Sequence, residues 1–171
     1  GVAGFVTPWN FPLAQGAKKI AAALAAGCTA VWKPAEATPL IALALAPLAA
    51  EAGVPPGVLQ IVPGRGSVEG GVFADHPAVR VISVIGSTAT CSAVMAAAAP
   101  GIKRLSLELG GNAPFVILPD ADLDFVAADL VTLKTFVSGQ VCVTANRVFV
   151  PESLETALVE KLAAQIGRAH V

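Results

Sequence analysis

Several short segments hold side chains whose chemistry could act on a small molecule. Gly139-Gln140-Val141-Cys142 places a thiol after a glycine turn and before a strand-like run. Its thiolate would be a nucleophile toward an electrophilic carbon; the plainer reading is a small buried hydrophobe, the role expected of Cys28 and Cys91. Leu107-Glu108-Leu109-Gly110-Gly111-Asn112 sets an acid at an apolar strand end ahead of two glycines. Burial would raise its pKa toward neutrality and suit it to general-base work, whereas a glutamate facing solvent from a sheet edge is the alternative. Thr7-Pro8-Trp9-Asn10-Phe11-Pro12 holds one amide between two prolines and two aromatics. Asn10 there is an aimed donor suited to an oxyanion, or a cap for a helix beginning at Phe11, and the two roles use different atoms.

Three further segments have ligand-holding character. Gly86-Ser87-Thr88 falls where a strand turns into a helix, so that glycine permits close approach and the helix N-terminus offers N–H groups to a pyrophosphate; a cap with no ligand is the commoner meaning. Pro63-Gly64-Arg65-Gly66 makes a second loop at the same sheet edge. Lys33-Pro34-Ala35-Glu36 follows another strand, where a lysine and an acid could hold ribose hydroxyls, or form an exposed ion pair in a solvated turn.

These segments need elements to position them. Short apolar runs at residues 2–7, 29–33, 58–62, 79–85, 113–118 and 143–150 read as strands, and residues 11–26, 39–52, 68–74, 89–99, 123–136 and 154–165 as helices. Asp120 or Asp122 can cap the fifth of those helices. Strand, helix, strand alternation means an α/β fold with a parallel sheet, and the ligand crevice is expected at the carboxyl ends of its strands, where the segments above lie. The 55% hydrophobic content and mean hydropathy of +0.72 exclude a disordered chain. Residues 20–32 are too short a run to span a bilayer and are bracketed by Lys18, Lys19 and Lys33, so the hydropathy reports strands covered on both faces. A net charge of -1 with scattered basic residues gives nucleic acid no stripe to bind. Three cysteines without ligand spacing indicate neither a disulfide framework nor a metal site, which fits a reducing, cytoplasmic setting. No signal peptide is expected: Gly1 opens directly into a strand-like run, as an interior cut would.

Taken in this order, the Leu-Glu-Leu-Gly-Gly string, Cys142 downstream of it and the Pro-Trp-Asn segment resemble the aldehyde dehydrogenase superfamily from Gly1 to Gln165. Gly110-Gly111-Asn112-Ala113-Pro114, residues 120–124 and Cys142-Val143-Thr144-Ala145-Asn146-Arg147 look most like its succinate-semialdehyde dehydrogenase branch. The resemblance implies a Rossmann-like dinucleotide-binding portion, incomplete, over residues 1–108, running into the start of an α/β catalytic domain over 109–165. It also implies oxidation of a semialdehyde-like aldehyde to a carboxylic acid with NAD(P)+. Cys142 would be the nucleophile, Glu108 the base that activates water, Asn10 with the Cys142 N–H the oxyanion donors, and Lys19 part of the proton network near the nicotinamide ribose. Pro8, Trp9, Lys33, Pro34, Ala35, Glu36, Gly64, Gly86, Ser87 and Leu109 match cofactor-contacting positions. Glu36 suggests NAD, since a carboxylate beside the 2′-hydroxyl repels the phosphate of NADP, with NADP the alternative.

The chain departs from the family pattern at Cys91, at Val84-Ile85 and at Thr135-Phe136-Val137, where glycine, Phe-Thr and Phe-Arg-Asn are commoner. The last departure removes an arginine that often anchors a substrate carboxylate. By resemblance the chain is about a third of a full member; the parent is expected to be a homo-oligomer, and residues 1–171 alone poorly soluble and inactive. Residues 166–171 read as a non-native tail. A coenzyme A-acylating dehydrogenase and a catalytically silent scaffold are the rival readings; Glu108 argues against the first.

Overall fold

The computed structural model describes residues 1–166, with the backbone alone at 67–69; most of the candidate tail, residues 167–171, lies outside the described residues. The chain divides into two compact units, Gly1–Leu109 and Gly110–Val171.

The first unit is a five-stranded, all-parallel sheet built from β1 (Val2–Val6), β2 (Thr29–Lys33), β3 (Leu59–Ile61), β4 (Val79–Gly86) and β5 (Arg104–Leu109), in the spatial order β3-β2-β1-β4-β5. Successive strands build outward in one direction from β1 and then in the other, which puts the reversal between β1 and β4. That is where a doubly wound sheet opens a crevice at its carboxyl edge. β5 is absent from the strand runs read above because its alternation, Arg104-Leu105-Ser106-Leu107-Glu108-Leu109, is that of a half-covered strand rather than a continuous apolar run.

Side-chain parity sorts the sheet into two faces. Ala3, Phe5, Ala30 and Trp32 pack with Ile20 and Ala23 of α1 (Ala14–Ala25) and Ala42 of α2 (Pro39–Leu43). On the other face Val6, Ile82 and Val84 pack with Phe73 of α4 (Gly66–Asp75) and with Cys91, Val94 and Ala98 of α5 (Thr88–Ala98). Full burial of each large apolar side chain contributes about 1.5–3 kcal/mol. The helix expected over 39–52 is two: α2 ends at Leu43 and α3 (Leu45–Glu51) begins after Ala44. Pro47 lacks the N–H that would bond the Leu43 carbonyl, and its ring crowds that carbonyl.

One contact is specified by a pair of residues far apart in sequence. Trp32 is fully buried, and its indole lies so close to α1 that a Cβ at Gly16 would stand 2.0 Å from Cζ2. Gly16→Ala is therefore expected to destabilise the protein by at least about 1–3 kcal/mol, read as a fall in the thermal unfolding midpoint. Trp32→Val leaves a cavity and should itself destabilise, but combined with G16A it should cost less than the sum of the two single losses, because the clash is gone.

The second unit pairs β6 (Ala113–Val116) with β7 (Ala145–Phe149) in parallel, connected through α6 (Leu123–Thr135) and followed by α7 (Glu152–Ile166). Ile117, Val126, Ala127 and Leu158 form its core. Of the two aspartates proposed as caps, Asp122 takes the role, its Oδ1 accepting from the Asp124 and Phe125 N–H groups. No helix among the described residues is long and apolar enough to cross a membrane.

Candidate active site

Every singled-out segment of the first unit leaves a strand at its carboxyl end. Residues 7–12 follow β1, residues 33–36 close β2, Pro63 and Gly64 follow β3, Gly86 and Ser87 close β4, and Glu108 and Leu109 close β5. Parallel pairing in register does this without further instruction: five strands pointing one way deliver five loops to one edge.

The loops after β1 and β2 are tied together. Thr7 N–H donates to the Lys33 carbonyl at 3.2 Å, and Trp32 Nε1 donates to Thr7 Oγ1 at 2.9 Å. Thr7 is buried, Asn10 and Pro8 are half-buried and Trp9 is exposed. Asn10 does not cap α1: the helix begins at Ala14, its N-cap position is Leu13, and no side chain caps it. Pro8 and Pro12 favour extended backbone ahead of the helix, which begins one turn later than the sequence suggests.

Lys33 is buried, so the solvated turn considered for Lys33-Pro34-Ala35-Glu36 is not what forms. Pro34 is fully buried beside it. Glu36 is exposed; its carboxylate lies 3.8 Å from Lys33 Nζ, and its Oε1 accepts from Gly66 N–H at 2.8 Å. A buried ammonium is tolerated only with such partners. Glu36 also stands at the rim of a groove of about 590 Å³ between α4 and α5, walled by Gly70, Gly71, Ala89, Ala93 and Ala97. Small residues on both facing helices leave a flat slot. At its mouth Ser87 caps α5, its Oγ accepting from Thr90 N–H at 3.2 Å, and the first turn of the helix presents its N-terminal N–H groups. A slot for a flat ring, an acid held at its rim and an anion-receptive helix end fit an adenine dinucleotide.

The Cys91 side chain turns into the core beneath α5, and its thiol approaches the Glu108 carbonyl at 4.0 Å. Burial pushes the Cys91 thiol pKa up, which removes it as a nucleophile. Cys28 is half-buried at the end of the loop before β2.

On the opposite sheet face, Lys19, Ser83, Ser106 and Glu108 line a cavity of about 380 Å³ together with Phe5 and Cys28. Lys19 Nζ donates to Ser83 Oγ at 2.6 Å. Desolvation holds the Lys19 pKa below the usual lysine value, opposed by the charge of Glu108 and reinforced by Lys18. Glu108 itself is exposed, which corrects the expectation of a buried acid: β5 is the edge strand of the sheet.

The second unit carries Cys142 on a braced loop. Val137, Ser138 and Gly139 are consecutive left-handed residues, at φ 49, 56 and 74, and a Cβ at Gly139 would meet the Lys134 carbonyl at 2.9 Å. Valine in that region costs about 1–2 kcal/mol, so the surrounding bonds must hold the turn. Gln140 N–H donates to the Val137 carbonyl, and buried Thr144 gives its N–H to the Val141 carbonyl and its hydroxyl to the Leu133 carbonyl. Cys142, half-buried, sits between these anchors. Among the described residues Thr7, Lys33, Ser83 and Thr144 are buried polar residues, and all four lie within these segments or against their residues. Of these, Ser83 has no place in the sequence reading above; a lone hydroxyl inside the apolar run of β4 is the signal that could have found it.

The aldehyde dehydrogenase family model matches residues 1–171. A mitochondrial succinate-semialdehyde dehydrogenase of Arabidopsis thaliana is 48% identical over 100% of this chain and 32% of its own length. The NADP-dependent succinate-semialdehyde dehydrogenase of Escherichia coli is 46% identical, over 100% of this chain and 36% of its own length. Among solved structures, a succinate-semialdehyde dehydrogenase from Burkholderia pseudomallei superimposes with a TM-score of 0.95 at 49% identity, covering 98% of this chain and 35% of that one. The chain thus spans about a third of the length of the curated relatives it matches. With the parallel α/β sheet, the strand-end segments and a match along its whole length, the chain belongs to the aldehyde dehydrogenase family.

Proposed function

We propose that the protein carrying this chain oxidises an aldehyde to a carboxylic acid with NAD(P)+, and that residues 1–108 supply the greater part of its cofactor site while 109–165 open its catalytic domain. The observation that carries this reading is the groove between α4 and α5 with Glu36 fixed at its rim and the capped N-terminus of α5 at its mouth. Glu36, Lys33 and Gly66 would hold the adenosine ribose, Gly86 and Ser87 the pyrophosphate, and Trp9 and Leu109 the sides of the nicotinamide. Bound there, the nicotinamide would supply a hydride acceptor.

The chain's own residues do the rest. Cys142, as thiolate, adds to the aldehyde carbon and gives a thiohemiacetal whose oxyanion accepts hydrogen bonds from the Asn10 amide and the Cys142 N–H. Loss of hydride leaves a thioester on Cys142. Glu108 then takes a proton from water, whose attack on the thioester carbon releases the acid and returns the thiol. Thiolate chemistry of this kind requires a reducing compartment, the cytoplasm being the simplest. A semialdehyde is the substrate class favoured, by likeness to relatives named for succinate and glutarate semialdehydes. Phe136 and its neighbours carry no arginine, so a distal carboxylate would find its anchor elsewhere.

Cofactor choice gives a direct test. Glu36→Ser removes the carboxylate and is expected to lower KM for NADP by about tenfold or more while raising KM for NAD, in steady-state kinetics on the whole protein. Unchanged KM for both dinucleotides would remove Glu36 from the cofactor site.

A further inference from the structure

Ser83 interrupts the buried stretch of β4 at the centre of the first unit's sheet. β4 reads Val-Arg-Val-Ile-Ser-Val-Ile-Gly, its neighbours Ile82 and Val84 are fully buried, and Ser83 itself is only 5% exposed. A buried hydroxyl costs free energy unless it is hydrogen-bonded, and alanine or valine would fill the same place in a purely structural strand. Ser83 instead faces the cavity shared by α1 and the carboxyl half of the sheet, in register with Phe5 of β1 on one side and Ser106 of β5 on the other. Its hydroxyl meets the ammonium of Lys19 at 2.6 Å.

We propose that Ser83 is the positioning residue for Lys19: its hydroxyl, fixed on β4, holds the Lys19 ammonium inside the cavity that Glu108 also lines. A lysine side chain has four rotatable bonds and a strong preference for water, so a half-buried lysine on a helix face would extend toward solvent unless an acceptor inside holds it. Phe5 and Ala23 are apolar and give no acceptor, and although Ser106 and Glu108 also line the cavity, the hydrogen bond that Lys19 makes there is to Ser83. The titratable groups facing Lys19 in this cavity are Lys18 from its own helix, Glu108 from β5 and Cys28 from the loop before β2. The lowered pKa of Lys19, set first by desolvation, is what a tethered rather than an extended lysine shows. Held there, the ammonium sits where the charge of Glu108, the base of the proposed reaction, acts on it. The inference deepens the reading of Lys19 and Glu108 as site residues and rests on it for this last consequence only.

The test measures where Lys19 is, without turnover. The whole protein is reacted with acetic anhydride across a pH series, and acetylation at Lys19 is quantified by mass spectrometry, since only the neutral amine reacts. Wild-type protein is expected to show a Lys19 midpoint below that of a free lysine side chain. Ser83→Ala should move the midpoint up to that of a free lysine, because the released side chain reaches water, while Ser83→Thr, which keeps the hydroxyl, should retain the low value. Glu108→Gln, with Ser83 intact, should move it further down by removing the charge that favours the ammonium. An S83A midpoint equal to or below wild type, in protein whose unfolding midpoint shows it folded, would overturn the proposal. Should Glu108 fail as a base in kinetic assays, the labelling result would still stand or fall by itself.

Discussion

Replacing Cys142 with alanine in the protein that carries this chain is expected to lower kcat for aldehyde oxidation by about 10³-fold or more, with no covalent acyl species left for mass spectrometry to detect. The size of the effect follows from the role: without the sulfur there is no thiohemiacetal from which hydride can leave, and no other residue can supply it. Cys91 is not a substitute, because it is buried under α5 with its thiol pKa raised. Cys28, at the end of the loop before β2, opens on the cavity of Lys19 rather than on the groove between α4 and α5. Cys28→Ala is therefore expected to leave kcat within about twofold of wild type. A C142A protein that still oxidised aldehyde at an appreciable rate would sink the covalent mechanism, and a wild-type protein that never acylated at Cys142 would favour a silent scaffold.

Glu108→Gln should separate the two halves of the reaction. The first half requires only Cys142 and the oxyanion donors, so one equivalent of reduced cofactor per site is expected in a rapid burst. The second half requires a base, so steady turnover should then fall by about 10²–10⁴-fold, with the thioester accumulating on Cys142. In the first unit Glu108 lies exposed on edge strand β5, open to the water it would activate. Unchanged turnover in E108Q, or turnover that depends on added coenzyme A, would overturn the assignment.

Much of this molecule follows from local order along the chain. The alternation of apolar runs with alanine-rich helical stretches specifies a parallel sheet, because right-handed crossovers of that length admit little else, and a parallel sheet sends the segments around Asn10, Lys33, Gly64, Gly86 and Glu108 to one edge. Gly139 before Cys142 and Asp122 before Leu123 are likewise local signals, since each acts through backbone groups a few residues away. Strand β5 is hard to see in the sequence because its alternation is that of a half-covered strand, and the break between α2 and α3 at Pro47 is masked by the apolar pattern that continues on either side.

What lay beyond the chain order is everything decided by residues distant in sequence meeting across the sheet. Trp32 finds room only because Gly16 lies over it, Lys33 is buried only because Glu36 and the Gly66 N–H meet beside it, and Ser83 gains a partner only because α1 crosses β4 at Lys19. Cys91 falls into the core rather than the groove because α5 turns that face inward. Periodicity tells which face of an element is apolar, whereas the cost of burying a charge or a hydroxyl depends on a partner that only the packed fold brings within hydrogen-bond distance.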